Sequence, residues 1–472
     1  MDYSAANNGV WEFIILLGVL ALALGIALVL RNHFAFIRKS MMPTAVLAGF
    51  LLLIARETGL IQLDSEILET LVYHSIALGF ISMSLRKALR PIGKDGKREG
   101  RVTGFKSGAI IVGTYLVQAF AGLVISVVLS IFMPQLFQAS GLLLPMGFGQ
   151  GPGQANNIGA TFESMGFAGG RSYGMAIAAA GYLCACTVGV WILKKWSGKP
   201  AQDSGRPNKK SADKNDISMF QAPNEIPVSD SIDRFSVQII MAFGTYLATF
   251  LLTRGLTSLV SAVSENLGNS VNTLLWGFNF IVGSAVAMLA SKMMDFFQKK
   301  GTMVREYRNN YLLSRLSGLF FDLMITAGIA SIKIEDISGL WVPFILTVTA
   351  GAVVTWFFLK WAAGHAYPAY RHEGLISMYG MLTGTIGSGI LLLKEIDPDL
   401  ETPAANNLVI GSSFGIALGA PLLIFISLAA GSTVMCLITL ALIVIYGIVL
   451  SLITRGVLKA NSPHFLFAIS AS

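Results

Sequence analysis

The chain has 472 residues, of which 54% are hydrophobic and only 13% charged, with a formal net charge of +8. Soluble proteins carry about 25% charged residues, so this composition excludes one large water-soluble domain, and the apolar runs recurring from Phe13 to Thr454 point to lipid contact. The basic excess is no sign of a nucleic-acid partner: it lies in short loops between apolar runs, where the positive-inside rule accounts for it.

The first apolar run, Phe13–Leu30, follows a segment with Asp2 and no basic n-region, so it reads as a retained helix and not as a cleaved signal. A basic loop with Arg31, Arg38 and Lys39 follows. The second run, Met42–Ile54, is short and leads to an acidic loop with Glu57, Asp64, Glu66 and Glu69. After the third, Leu71–Leu85, comes the strongest topological mark: Arg86, Lys87, Arg90, Lys94, Lys97, Arg98, Arg101 and Lys106. The fourth is Gly108–Met133. The glycine-rich stretch Phe137–Gly170 then precedes the fifth, Tyr173–Leu193, and a polar linker.

The basic loop before the fourth span and the linker after the fifth both belong inside by the positive-inside rule. Two spans separate them, so residues 137–170 must enter and leave on the same outer side, which predicts a re-entrant hairpin. Counting back places the N-terminus outside. The second half repeats the pattern with Ile239–Thr253, Leu274–Ala290, Leu316–Ile332 and Trp341–Ala362, an inner basic loop from Lys292 to Arg315, and Glu335 and Asp336 outside. The glycine- and threonine-rich stretch Gly374–Thr402 enters from the cytoplasm by the same parity. Leu408–Ala429 and Thr433–Ile453 complete the chain, which ends inside.

The expected fold is therefore an all-α polytopic membrane protein built of two inverted five-helix repeats, each with a glycine-rich re-entrant segment, plus one extra C-terminal helix. The divisions are 1–194 (dip 137–170), a cytoplasmic linker 195–233, 234–430 (dip 374–402) and 431–472. Inverted repeats whose broken helices meet near the midplane are a recurrent transporter plan. Cys184, Cys186 and Cys436 all lie in apolar runs and form neither a disulfide framework nor a zinc pattern.

In the first dip, alternating glycines and Pro152 cannot sustain a helix. Irregular backbone at membrane depth must line a cavity or be buried in protein, and helix N-termini there can hold a carboxylate. The candidate substrate-binding residues are Gly149, Gln150, Gly151, Gly153, Gln154, Asn156 and Asn157, with Thr383, Gly384 and Thr385 from the second dip. The competing reading, a solvated outer loop, leaves Leu142–Leu144 without a purpose. Hydroxyls and carbonyls of the second dip suit a small hard cation such as sodium, against the alternative that its glycines and serine only allow close helix packing. Ser388, Asn406 and Asp322 are the candidate sodium ligands. Asp322 is an intramembrane carboxylate and so a functional candidate, though it lies close enough to the inner end to reach Arg315 or water. Asn406 and Asn407 serve equally well as a helix cap.

At the two dips, Pro145-Met146-Gly147-Phe148 followed by Gly149-Gln150-Gly151-Pro152-Gly153, and Thr383-Gly384-Thr385-Ile386-Gly387, the sequence resembles the bacterial sodium/glutamate symporter family. Motif identity is local: the first dip lacks the histidine of that family's Gly-Gly-His-Gly-like turn, and the second differs from its Ala-Thr-Pro-Thr-Ala-like centre. The resemblance implies a homodimeric, sodium-coupled carrier of glutamate or a related small carboxylate in the bacterial inner membrane. A cation/proton antiporter or an ion channel of similar design are the competing readings. An enzyme is not expected: Gly387-Ser388-Gly389 has no histidine in a clear apolar span to pair with, and no Walker loop, CxxC or His-Glu-x-x-His occurs.

Overall fold

About twenty helical residues are needed to cross a bilayer. A computed structural model describes residues 8–39, 42–87, 93–196, 233–263, 275–276, 279–397 and 402–460, without side chains at 8, 38–39, 93–101, 194–196, 406 and 456–460. Ten helices among the described residues are long and apolar enough to cross. The protein is an all-α, multi-pass membrane protein. Most of the predicted linker lies outside the described residues.

The helices are α1 (Asn8–His33), α2 (Ala35–Lys39), α3 (Thr44–Glu57), α4 (Ser65–Ser84), α5 (Gly93–Phe132), α6 (Pro152–Ser164), α7 (Gly170–Cys184) with its continuation α8 (Val190–Trp196), and α9 (Arg234–Val263). The second half gives α10 (Asn279–Lys299), α11 (Asn310–Ala330), α12 (Ile334–Ile337), α13 (Trp341–Ala366), α14 (Arg371–Thr383), α15 (Ile386–Leu393), α16 (Ala404–Ala429) and α17 (Thr433–Ala460).

Sequence reading expects eleven spans. The difference is α3, whose 14 residues rise about 21 Å, less than the roughly 30 Å hydrocarbon core that a perpendicular helix crosses. Its inward face buries Ala45, Val46, Ala48, Leu52 and Leu53. Arg56 at its end donates to the carbonyls of Ala330 (2.6 Å) and Ile332, meeting the open C-terminus of α11 with a cation.

Predicted ends shift where polar caps extend a helix past its apolar stretch. Asn309 Oδ1 accepts from the Leu312 amide at 2.9 Å, an N-cap that starts α11 six residues before Leu316. Asp233 caps α9 through the Ser236 amide at 2.7 Å. Asp64, read as part of an acidic loop, accepts from the Glu66 amide at 2.8 Å and caps α4.

The chain separates into two compact units that do not follow its sequential halves. One comprises residues 1–68, 91–198 and 328–472, and the other residues 69–90 and 199–327. The larger holds both predicted dips. Small residues let its helices approach closely: a Cβ on Gly108 of α5 would lie 3.1 Å from the Gly411 carbonyl oxygen of α16.

The smaller unit packs Ile81, Leu85, Ala287 and Leu313 into a core. A charged cluster lies between α10 and α11. Arg308, fully buried, holds Glu306 by two hydrogen bonds (2.8 and 3.0 Å), Asp295 at 2.6 Å, and the Ser291 hydroxyl at 2.7 Å. Lys87 adds a bond to Glu306 at 2.6 Å. Burial alone would raise the Glu306 pKa, but the bonds from Arg308 and Lys87 outweigh it and hold it down at about 2.

Candidate functional site

Both dips are broken helical hairpins. The first begins with a 3-10 turn at Gln138–Leu142 and a π turn at Pro145–Gln150. Leu142, Leu143, Leu144, Met146 and Phe148 are completely buried, an environment that no solvated outer loop would give them. The chain turns at Gly151, with φ 89° and ψ −177°, a conformation reserved for glycine. Pro152 then opens α6, a position where its missing N–H costs nothing. The hairpin closes at its base, where Phe137 packs on Phe162 and Phe167.

The second hairpin descends through α14, breaks at Gly384 and Thr385, and returns through α15. The descending helix α14 and the returning helix α6 each have 13 residues, about 20 Å, which carries either tip well into a hydrocarbon core of about 30 Å.

The two hairpins open at opposite ends of this unit, and α5 supplies the ruler. Near one end Ser107 accepts a hydrogen bond from Tyr367 (2.8 Å), just before α14. Near the other, Ser126 donates to the Gln138 carbonyl (2.6 Å), at the start of the first hairpin. Nineteen residues separate these two serines, about 28 Å along the helix. Their tips meet. A Cβ on Gly151 would lie 3.6 Å from both the Gly384 carbonyl oxygen and the Thr385 methyl. Gly181 of α7 lies directly against the Thr383 carbonyl and leaves no room for a side chain there.

Gln118 of α5 ties the crossing together. Its Nε2 donates to Thr355 Oγ1 of α13 at 2.8 Å and to the Leu382 carbonyl at 3.0 Å. On Gln118 and along the two hairpins, buried polar atoms have no hydrogen-bond partner among the described residues: Gln118 Oε1, Gln154 Oε1, Asn156 Oδ1, Asn157 Nδ2, Tyr379 OH and Ser388 Oγ. Gln154, Asn156, Asn157 and Ser388 are 4%, 4%, 5% and 3% exposed. Each such atom costs about 1–3 kcal/mol if left unpaired, so a group of six calls for partners from outside the chain.

Backbone ends add to this. The N-termini of α6 and α15 reach the crossing with no side-chain cap, and the first amides of any helix lack intrahelical acceptors. The C-terminus of α14 brings carbonyls to the same place. The crossing thus offers partial positive charge at two N-termini and partial negative charge at a C-terminus. Its side chains named above are all neutral.

The structure brings together Gly149, Gln150, Gly151, Gly153 and Gln154 with Thr383, Gly384, Thr385 and Ser388. Asn156 and Asn157 follow within two turns of α6. The Thr383 hydroxyl donates to the Tyr379 carbonyl of its own helix at 2.8 Å, so its proton is already used. Asn407 belongs to the opening end, where its Nδ2 donates to Tyr370 OH at 2.8 Å. Asn406 precedes it in the same turn, one length of α14 from the tip, and its side chain lies outside the described residues. Asp322 belongs to the other compact unit and has an exposed side chain. Glu163 and Arg171 pair with one another at 3.2 Å.

Sequence reading missed Gln118, Thr355 and Tyr379. Gln118 had a usable signal, as a lone amide in the apolar run Gly108–Met133. The other two resemble ordinary helix residues until the tertiary contact is known.

No protein-family model and no curated protein sequence matches this chain.

Proposed function

We propose that the protein is a secondary active transporter that moves a small carboxylate, glutamate or a related amino acid, together with sodium. The observation that carries this reading is the meeting of two opposed broken helices that carry buried neutral polar atoms with no hydrogen-bond partner among the described residues. The α6 and α15 N-termini suit a carboxylate. Gln118, Gln154, Asn156 and Asn157 supply neutral donors and acceptors for its remaining polar groups. The Ser388 hydroxyl and the carbonyls at the end of α14 are hard oxygen donors of the kind a sodium ion takes, as in other carriers with discontinuous helices.

The same reading assigns the chain two inverted five-helix repeats, an outer N-terminus and a cytoplasmic C-terminus. It also assigns a homodimeric state in a bacterial inner membrane, by resemblance to the sodium/glutamate symporters. Supporting the repeat are the opposed openings of the two hairpins along α5 and the meeting of their tips. An antiporter reading has less support, because none of the crossing side chains named above is a carboxylate and Asp322 belongs to the other compact unit.

The test is uptake into proteoliposomes. Radiolabelled L-glutamate, aspartate and small dicarboxylates are offered with an inward sodium gradient, a potassium gradient or a proton gradient. Accumulation of one carboxylate with the sodium gradient alone supports the proposal. Accumulation with a proton gradient alone, or ion flux without any carboxylate, would replace it with the antiporter or the channel.

A further inference from the structure

A second site lies at the C-terminal end of α13. Phe357, Lys360, Trp361, Gly364 and His365 are spaced i, i+3, i+4, i+7 and i+8 and so form one helical stripe. Arg371, from the start of α14, lies across Gly364, where a Cβ would stand 3.3 Å from its guanidinium carbon. These six residues line a pocket of about 360 Å³.

The chemistry of this pocket is one-sided. Among the described residues, neither Lys360 nor Arg371 has a hydrogen-bond or ion-pair partner, and no carboxylate lines the pocket. His365 Nδ1 is shared with the Trp361 carbonyl at 2.8 Å, and the two rings lie 5.2 Å apart. Phe357 and Trp361 are 63% and 54% exposed, apolar surface directly beside the cations. The stripe occupies the last turns of a 26-residue spanning helix, the depth at which aromatic rings and basic side chains meet lipid headgroups.

We propose that this pocket holds the phosphate of an anionic phospholipid, with Lys360 and Arg371 on the phosphate and Phe357 and Trp361 along the first acyl carbons. Basic pockets at the membrane ends of helices recognise acidic headgroups in this way. Arg371 opens α14, the descending leg of the second hairpin, so the lipid would fix the end of α14 that lies away from the crossing. The proposal does not depend on what the crossing binds.

Native mass spectrometry of the purified protein with phosphatidylglycerol or phosphatidylcholine tests it. Wild-type protein is expected to retain phosphatidylglycerol under activation that strips phosphatidylcholine. A Lys360→Gln/Arg371→Gln variant should bind phosphatidylglycerol roughly thirtyfold more weakly, from about fivefold for each cation. A Lys292→Gln/Lys299→Gln control, with the same change of net charge at exposed positions elsewhere, should match wild type. In wild-type protein the binding must also weaken as salt rises, a measurement that needs no variant. Equal retention of both lipids, equal loss in both double variants, or inorganic phosphate competing at the concentration of the lipid would each overturn the assignment; the last would make it a free-anion site.

Discussion

Two regions of this molecule treat buried polar groups in opposite ways. Around Arg308, charged groups are gathered and every guanidinium nitrogen is paired, so the polar atoms are consumed by the fold. At the crossing of the two hairpins the polar groups are neutral, equally buried, and six atoms have no hydrogen-bond partner among the described residues. Burial of polar atoms therefore does not by itself mark a site. The mark is burial without internal satisfaction, in a place where glycines bring backbone ends together.

That contrast can be broken by substitution, beginning with the largest expected change in stability. Arg308→Met leaves Glu306 and Asp295 without their buried cation and should cost on the order of 3–5 kcal/mol, seen as a large fall in melting temperature. Gly151→Ala should cost about 1–3 kcal/mol. Its Cβ would meet nothing closer than 3.6 Å, so the loss reports backbone strain; unchanged stability would mean that the turn relaxes.

Acid sharpens the comparison. Glu306 has its pKa lowered to about 2 from the ordinary 4.5, so its contribution is complete above about pH 4.5 and is lost as pH falls through the folded value. Melting temperature should decline over that range in wild-type protein. Glu306→Gln should be less stable at neutral pH and show a shallower decline. None of the crossing side chains named here titrates in this acid range, so they should add nothing to this slope.

The smallest stability effect belongs to the crossing itself. Gln154→Ala and Asn156→Ala each remove a buried oxygen with no hydrogen-bond partner among the described residues, so relief of the unpaired atom offsets the lost packing and the net change in stability should be small, while carboxylate uptake falls at least tenfold. Loss of fold in these variants would show that the atoms are structural after all. Asp322→Asn should leave sodium dependence of uptake unchanged, and a shifted dependence would return that carboxylate to the coupling machinery.

Much of this was legible in the sequence, for physical reasons that differ from segment to segment. The spans show because hydrocarbon demands long apolar runs, and the two hairpins show because Gly151-Pro152 and Gly384 break helices that parity requires to turn back. Helix starts at Asp64, Asp233 and Asn309 were less legible, since capping residues look like loop residues until the amide they hold is known. Half the crossing was hidden: Gln118, Thr355 and Gly181 come from three other helices, and only tertiary packing brings them to the tips. The two compact units were hidden for the same reason, being assembled from pieces distant in the chain.

The most direct test of the central claim, that the crossing is a substrate site, is ligand-induced thermal stabilisation of the purified protein. Wild type, Gln154→Ala and Asn156→Ala are melted with and without sodium across a panel of amino acids and dicarboxylates. A ligand that binds only the folded state raises the melting temperature by mass action, by about 2.7 kcal/mol of stability at a hundred times its Kd. We predict that one carboxylate stabilises wild type only when sodium is present, and that neither variant responds although both melt where unliganded wild type does. A carboxylate that stabilises wild type and both variants equally would place binding elsewhere and contradict the account.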